Sequence, residues 1–169
     1  MRNSTQQHQQ QQHHDKAMAS MKYTTFAMMI AAGSIIMFGL MYLNTYALDH
    51  IFFSETRAYM TVIMGATMAV VMLLFMWKMY PNKVANFSIL VGSVITIFAA
   101  LWLVRSQVTV DDVSYMRAMI PHHSIAILTS ERAKITDPRV RKLADDIIAA
   151  QRKEIGEMKR YIEDLEAKR

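Results

Sequence analysis

Cysteine is absent from this sequence of 169 residues. Its absence excludes disulfides, thiolate metal ligands and a thiol nucleophile. A strong net charge is also lacking, because the formal charge is only +5 and much of the basic excess alternates with acidic residues near the C-terminus. We therefore expect no nucleic-acid partner. Methionine, in contrast, is abundant, with 16 copies, and many of these lie in apolar segments.

The N-terminal tail, residues 1–22, lacks apolar periodicity and contains a Gln/His tract. This composition predicts a disordered, solvated segment. The tail histidines His8, His13 and His14 offer weak metal ligands. A solvated low-complexity tail without a bound metal is the preferred interpretation.

Charged side chains are missing from the interior of three apolar stretches, at about residues 23–48, 59–79 and 84–104. Each stretch is long enough to cross a hydrocarbon core of about 30 Å. We therefore predict a membrane region over residues 23–104 with three transmembrane helices, for which lipid is the first partner. The lysines and arginines that flank the spans favour a cytoplasmic N-terminus and an extracytoplasmic C-terminal region.

Methionine recurs at every fourth position through the second span. The repeat comprises Met60, Met64, Met68, Met72 and Met76. Steps of four residues drift by only about 40° on an α-helix, so these side chains form one slanting ridge. A thioether track for Cu(I) or Ag(I) is one interpretation. Packing between helices is the preferred one, since methionine is an ordinary apolar residue in lipid.

After a short linker at residues 105–110, the pattern changes to two amphipathic helices within residues 111–167. Thr109 or Asp111 can cap the first helix, and Thr136 or Asp137 can cap the second. The short connection predicts an antiparallel hairpin. Two helices alone bury little apolar surface, so we expect two copies to associate through this hairpin into a four-helix bundle. The predicted fold class is therefore all-α.

Thioethers and imidazoles cluster in the first helix of the hairpin, in the run Met116-Arg117-Ala118-Met119-Ile120-Pro121-His122-His123. Met116, Met119 and His123 share one face of the helix. His122 is turned by about 100° from His123, so one straight helix cannot aim both rings at one point. The face with three of these side chains is a candidate binding surface.

The second helix places polar residues opposite this face. Counted outward from the turn, His123 falls beside Gln151 and Glu154. Burial of a carboxylate is costly unless the carboxylate is paired. We therefore predict a hydrogen-bonded layer of His123 with Glu154 or Gln151, with or without a metal.

The Met/His run and the later Gln-x-x-Glu-Ile-x-x-Met resemble the bacterial domain of unknown function 305 family over about residues 111–162. That family is similar to ferritin-like helical bundles, and some members are periplasmic copper-binding proteins of metal-tolerance systems. The resemblance implies five metal ligands, which are Met116, Met119, His122, His123 and Met158. Gln151 and Glu154 would lie beside them.

We therefore expect a membrane-anchored protein that binds Cu(I) or Ag(I) and contributes to copper homeostasis or tolerance, because thioether and imidazole ligands suit soft metals. In a bacterium it would lie in the inner membrane with the hairpin in the periplasm. A metal-free helical module that oligomerises or docks a partner is the alternative. An enzyme is not expected, since ferritin-like di-metal oxidases need Glu-x-x-His pairs and this chain has none.

Overall fold

The structure is a computed structural model, and it describes residues 23–168. Within this range the chain forms five α-helices and no strand. Helix α1 spans Tyr23–Leu40, and it is followed by α2 (Glu55–Phe75), α3 (Lys83–Ser106), α4 (Asp112–Arg132) and α5 (Pro138–Glu166). The all-α prediction is confirmed for these residues. The prediction for the tail, with its three histidines, lies outside the described residues.

Helices α1, α2 and α3 are each long and apolar enough to cross a membrane, as the sequence predicts. Large apolar side chains are exposed along all three, among them Ile35, Phe75 and Phe98. Such exposure would be costly in water. It is the surface that a helix presents to lipid.

The end of the first helix differs from the prediction. The sequence predicts a span that continues to residue 48, whereas α1 ends at Leu40. Beyond Gly39 the backbone makes turn-type bonds, since the N–H of Tyr42 donates to the Gly39 carbonyl and that of Leu43 to Leu40. Glycine weakens a helix, and the chain then turns back on itself with a mixture of buried and exposed apolar side chains. Tyr42, for example, is only 9% exposed.

The described residues divide into two compact units. We call residues 23–37 and 60–102 the membrane unit, because they contain most of α1, α2 and α3. Residues 38–59 and 103–168 form the helix-pair unit, named after α4 and α5. The second unit therefore includes the connection between α1 and α2.

A buried asparagine ties the helix ends of the membrane unit together. Asn86, in α3, is 0% exposed. Its Oδ1 accepts a hydrogen bond of 2.7 Å from the Tyr23 hydroxyl, and its Nδ2 donates one of 3.0 Å to the Tyr80 carbonyl. These bonds satisfy a side chain whose burial would otherwise be costly. They join the start of α1, the α2–α3 connection and α3.

Three methionines of the ridge, Met68, Met72 and Met76, pack inside this unit. A side-chain carbon added at Gly33 would lie 3.6 Å from the sulfur of Met68. Met72 and Met76 pack against the apolar cluster that contains Phe26 and Leu73. These contacts favour the packing interpretation of the ridge.

Because α1 and α2 approach closely at Gly65, we expect replacement of this glycine by alanine to destabilise the protein more than the same replacement at an open position. A Cβ at Gly65 would lie 2.5 Å from the Ser34 hydroxyl oxygen, whereas one at Gly92 would have nothing within 4 Å. We expect Gly65→Ala to be less stable than Gly92→Ala by about 1–2 kcal/mol, because Ser34 must rotate or α1 must shift. Thermal unfolding in detergent measures the difference. The double variant Ser34→Ala/Gly65→Ala should be as stable as Gly92→Ala, because the clashing hydroxyl is gone. Equal stability of Gly65→Ala and Gly92→Ala would contradict the close contact.

Candidate metal-binding cleft

Helices α4 and α5 pack against each other along an apolar seam. The buried residues of the seam are Val113, Met116, Ile120 and Ile127 of α4 with Ile155 and Ile162 of α5. Ion pairs join Glu131 to Arg152 near one end and Arg117 to Glu166 near the other, so the two helices run in opposite directions.

Side-chain caps fix where the two helices begin. The Asp111 carboxylate accepts a hydrogen bond from the Ser114 N–H at the start of α4. The Asp137 carboxylate accepts one from the Arg139 N–H at the start of α5, where Pro138 occupies the first position. The sequence leaves two candidate caps open for each helix. The structure selects the aspartate in both cases.

A cleft of about 320 Å³ opens on one side of the helix pair. It is lined by Tyr115, Met119, His123, Glu154, Glu157, Met158 and Tyr161. Three of the five predicted ligands, Met119, His123 and Met158, therefore border one space. Glu154, predicted to lie beside them, borders it too.

His123 is the most unusual group in this cleft. Its Nδ1 lies 3.0 Å from Oε2 of Glu154. Nδ1 is buried and has no hydrogen bond, so the two groups are close but the predicted hydrogen bond is not formed. Burial lowers the pKa of His123, while Glu154 opposes the shift and His122 adds to it. The imidazole is therefore neutral at pH 7, which is the form that binds metals.

The other predicted residues lie outside this cleft. Met116 is 8% exposed and packs in the seam, although it also lines an adjoining groove of about 530 Å³. His122 is exposed, and its ring centroid lies 6.2 Å from that of His123. Gln151 is half-buried and lines neither space. The turn of about 100° between successive helix residues explains why the two histidines diverge.

Among residues 23–168, no group of three or more His, Asp or Glu side chains is placed to hold a metal ion. A mixed set of two thioethers and one imidazole is the arrangement that the cleft offers.

The sequence does not predict the packing of residues 41–54 against the helix pair. The Tyr46 N–H donates a hydrogen bond of 2.7 Å to the Ser124 hydroxyl, and Nδ1 of His50 lies 3.0 Å from the same oxygen. Phe52 packs against the seam. The one available signal was Ser124 itself, a polar residue on the apolar stripe of α4 that needs a partner when buried.

Ser124, His50 and Asp49 have the order of a nucleophile, a base and an acid. The Asp49 carboxylate lies 4.0 Å from Nε2 of His50. Ser124 is 0% exposed, however, and its oxygen already accepts the Tyr46 N–H. A nucleophile must reach its substrate, so we interpret this group as a structural contact.

The contact of His50 predicts a pH dependence of the docking of residues 41–54. Burial lowers the pKa of His50 below its ordinary value of 6.5; Asp49 opposes this shift and the Lys159 ammonium adds to it. As the pH falls through 6.5, the undocked imidazole takes up its proton first, so docking weakens below that pH and is unaffected above it. We expect the amides of residues 46–52 to lose hydrogen-exchange protection between pH 7 and pH 5.5.

The variant His50→Asn is the matched control, because its side-chain amide keeps a polar group beside Ser124 without titrating in this range. It should show protection that does not change with pH. His123 is present in both the unaltered protein and the His50→Asn variant, so any effect of its protonation is the same in the two and cancels when they are compared. The same loss of protection in both proteins would contradict a role for His50.

Comparison with known proteins supports the resemblance for the C-terminal helices. Residues 112–169 match the family described as Domain of unknown function (DUF305). An uncharacterized protein of Acanthamoeba polyphaga mimivirus is 38% identical over 77 residues, which cover 44% of this chain and 51% of that protein. The chain thus spans about half the length of the curated relative that it matches. No solved structure matches the chain.

Proposed function

We propose that this chain is a membrane-anchored protein that binds Cu(I) or Ag(I) through Met119, His123 and Met158. The supporting observation is that these three side chains, from two different helices, line one cleft of about 320 Å³. Soft monovalent ions favour thioether and imidazole ligands. Helices α1, α2 and α3, which are apolar enough to cross a membrane, would act as the anchor.

The side chains of the cleft fit such an ion in two further respects. Nδ1 of His123 lies 3.0 Å from the Glu154 carboxylate, and a carboxylate at one ring nitrogen commonly orients a metal-binding histidine. The other ring nitrogen, Nε2, would then be the metal ligand. A bound ion would supply a positive charge to an otherwise acidic cleft.

The wider role that we propose is copper homeostasis or tolerance. The helix pair would lie outside the cytoplasm, which in a bacterium is the periplasmic side of the inner membrane. Lys78 and Lys83 flank the α2–α3 connection, and basic residues favour the cytoplasmic side. Three spans would then put α4 and α5 on the opposite side.

The direct test is an anaerobic titration of the full-length protein in detergent with Cu(I), in competition with a chromogenic chelator. Saturable competition is the expected result. The full chain is needed, because residues 41–54 pack on the helix pair and a fragment that begins near residue 106 would lack them. A folded, helical chain that does not compete would overturn the proposal.

One observation favours the second candidate, a metal-free docking module. Val140 and Leu143, in the first two turns of α5, are 48% and 58% exposed. Exposed apolar side chains near one end of the helix pair are a surface that a partner could cover. Under this alternative, loss of the thioether and imidazole groups would leave the function intact.

A further inference from the structure

The helix pair has one side covered by its own chain and another side open. Residues 41–54 cover the side that carries Ser124. Tyr115 is nine residues away on the same helix, which is half a turn around it. The 320 Å³ cleft and the adjoining groove of about 530 Å³ share Tyr115, Met158 and Tyr161. We call the two together the long groove.

The long groove combines an apolar floor with an acidic rim. Met116 and Met158 contribute thioethers to it. Tyr115 and Tyr161 remain 55% and 56% exposed, and rings of this size contribute much apolar area when they are buried at an interface.

Carboxylates border the long groove along its length. Asp112 and Asp164 line one part, and Glu154 lines the other. Within residues 23–168, neither aspartate has an ion-pair partner. The only basic side chain that lines the groove in this range is Lys168. The groove therefore carries a net negative charge.

We take a second copy of this chain as the partner that covers the apolar surface of the long groove. Two copies related by a two-fold axis would present the same surface to each other. This arrangement would bury four exposed tyrosine rings and extend a seam that two helices alone leave small. It would also bring the acidic rims together, and like charges that face each other oppose association.

We infer that two copies pair through the long groove and that a bound soft cation is linked to this pairing. The inference rests on the proposed function, because the cation is the one held by Met119, His123 and Met158. Its positive charge offsets the facing carboxylates, so binding of the cation and pairing of the copies strengthen each other reciprocally. Thioethers of both copies then border the same enclosed space.

The test measures the mass of the full-length protein in detergent by sedimentation, with and without Ag(I) as a probe that is stable to oxidation. We expect one copy per particle without silver and two copies with it. The variant Asp112→Asn/Asp164→Asn should pair without silver at a protein concentration at least tenfold lower than the unaltered chain. The matched control Asp145→Asn/Glu163→Gln removes two charges outside the groove and should behave as the unaltered chain.

Bound silver is determined by elemental analysis in the same samples, which separates the two proposals. Silver that binds without a change of mass would overturn the linked pairing and leave the metal site. Absence of bound silver would overturn the proposed function. Pairing that is independent of silver and unchanged by Asp112→Asn/Asp164→Asn would place the contact elsewhere in the chain and overturn the inference.

Discussion

The double variant Met119→Leu/His123→Leu is expected to lose Cu(I) and Ag(I) binding while its helix pair stays folded. It removes two of the three donors that line the cleft, so the dissociation constant should rise by more than about 100-fold, beyond the loss typical of residues that only support a ligand. Leucine keeps the apolar contacts of methionine. The change at His123 removes no hydrogen bond from Nδ1, because that buried atom has none.

A matched control replaces two other methionines. Met28 and Met29 of α1 are 58% and 41% exposed, and Met28→Leu/Met29→Leu should bind silver as the unaltered chain does. The tail histidines are present in both variants and contribute the same background. Silver binding that survives Met119→Leu/His123→Leu would move the metal away from the cleft. Full retention of partner binding or self-association in that variant, with no metal bound to either protein, would favour the docking module.

Local signals in the sequence were sufficient for several features of the structure. The polar residues before each amphipathic run limited the caps to two candidates per helix, which include the observed Asp111 and Asp137, because a cap acts on a backbone N–H only two or three residues away. The closeness of His123 to Glu154 followed from a short connection between two helices of known rise per residue, although the predicted hydrogen bond is not formed. Such features depend on positions that are close in sequence or joined by rigid geometry.

Contacts over long sequence distances were not predictable in the same way. Residues 41–48 contain no charged side chain, and this pattern alone cannot tell whether they continue a membrane span or lie against protein. Their contact with Ser124 joins positions 78 residues apart. The same limit applies to Val140 and Leu143. They follow the helical periodicity of the apolar stripe, but their side chains are 48% and 58% exposed.

The variant Ser124→Ala is expected to release residues 41–54 from the helix pair. Ser124 is 0% exposed. Its hydroxyl accepts the Tyr46 N–H and meets Nδ1 of His50. Removal of one hydroxyl leaves both groups without their partner, which costs about 1–3 kcal/mol. The corresponding result is a roughly tenfold or greater loss of hydrogen-exchange protection for the amides of residues 46–52.

The ion pair of Lys159 with Asp49 also joins residues 41–54 to the helix pair, with 2.6 Å between its atoms, but we expect it to stabilise this contact less than the Ser124 hydroxyl does. Exposed ion pairs contribute little, typically below about 1 kcal/mol, so Lys159→Met should change the protection much less than Ser124→Ala. Thr129→Val is the control for loss of a hydroxyl in α4, because the Thr129 hydroxyl donates only to carbonyls of its own helix. A larger effect of Lys159→Met than of Ser124→Ala would mean that surface charge, and not the buried hydroxyl, holds residues 41–54 in place.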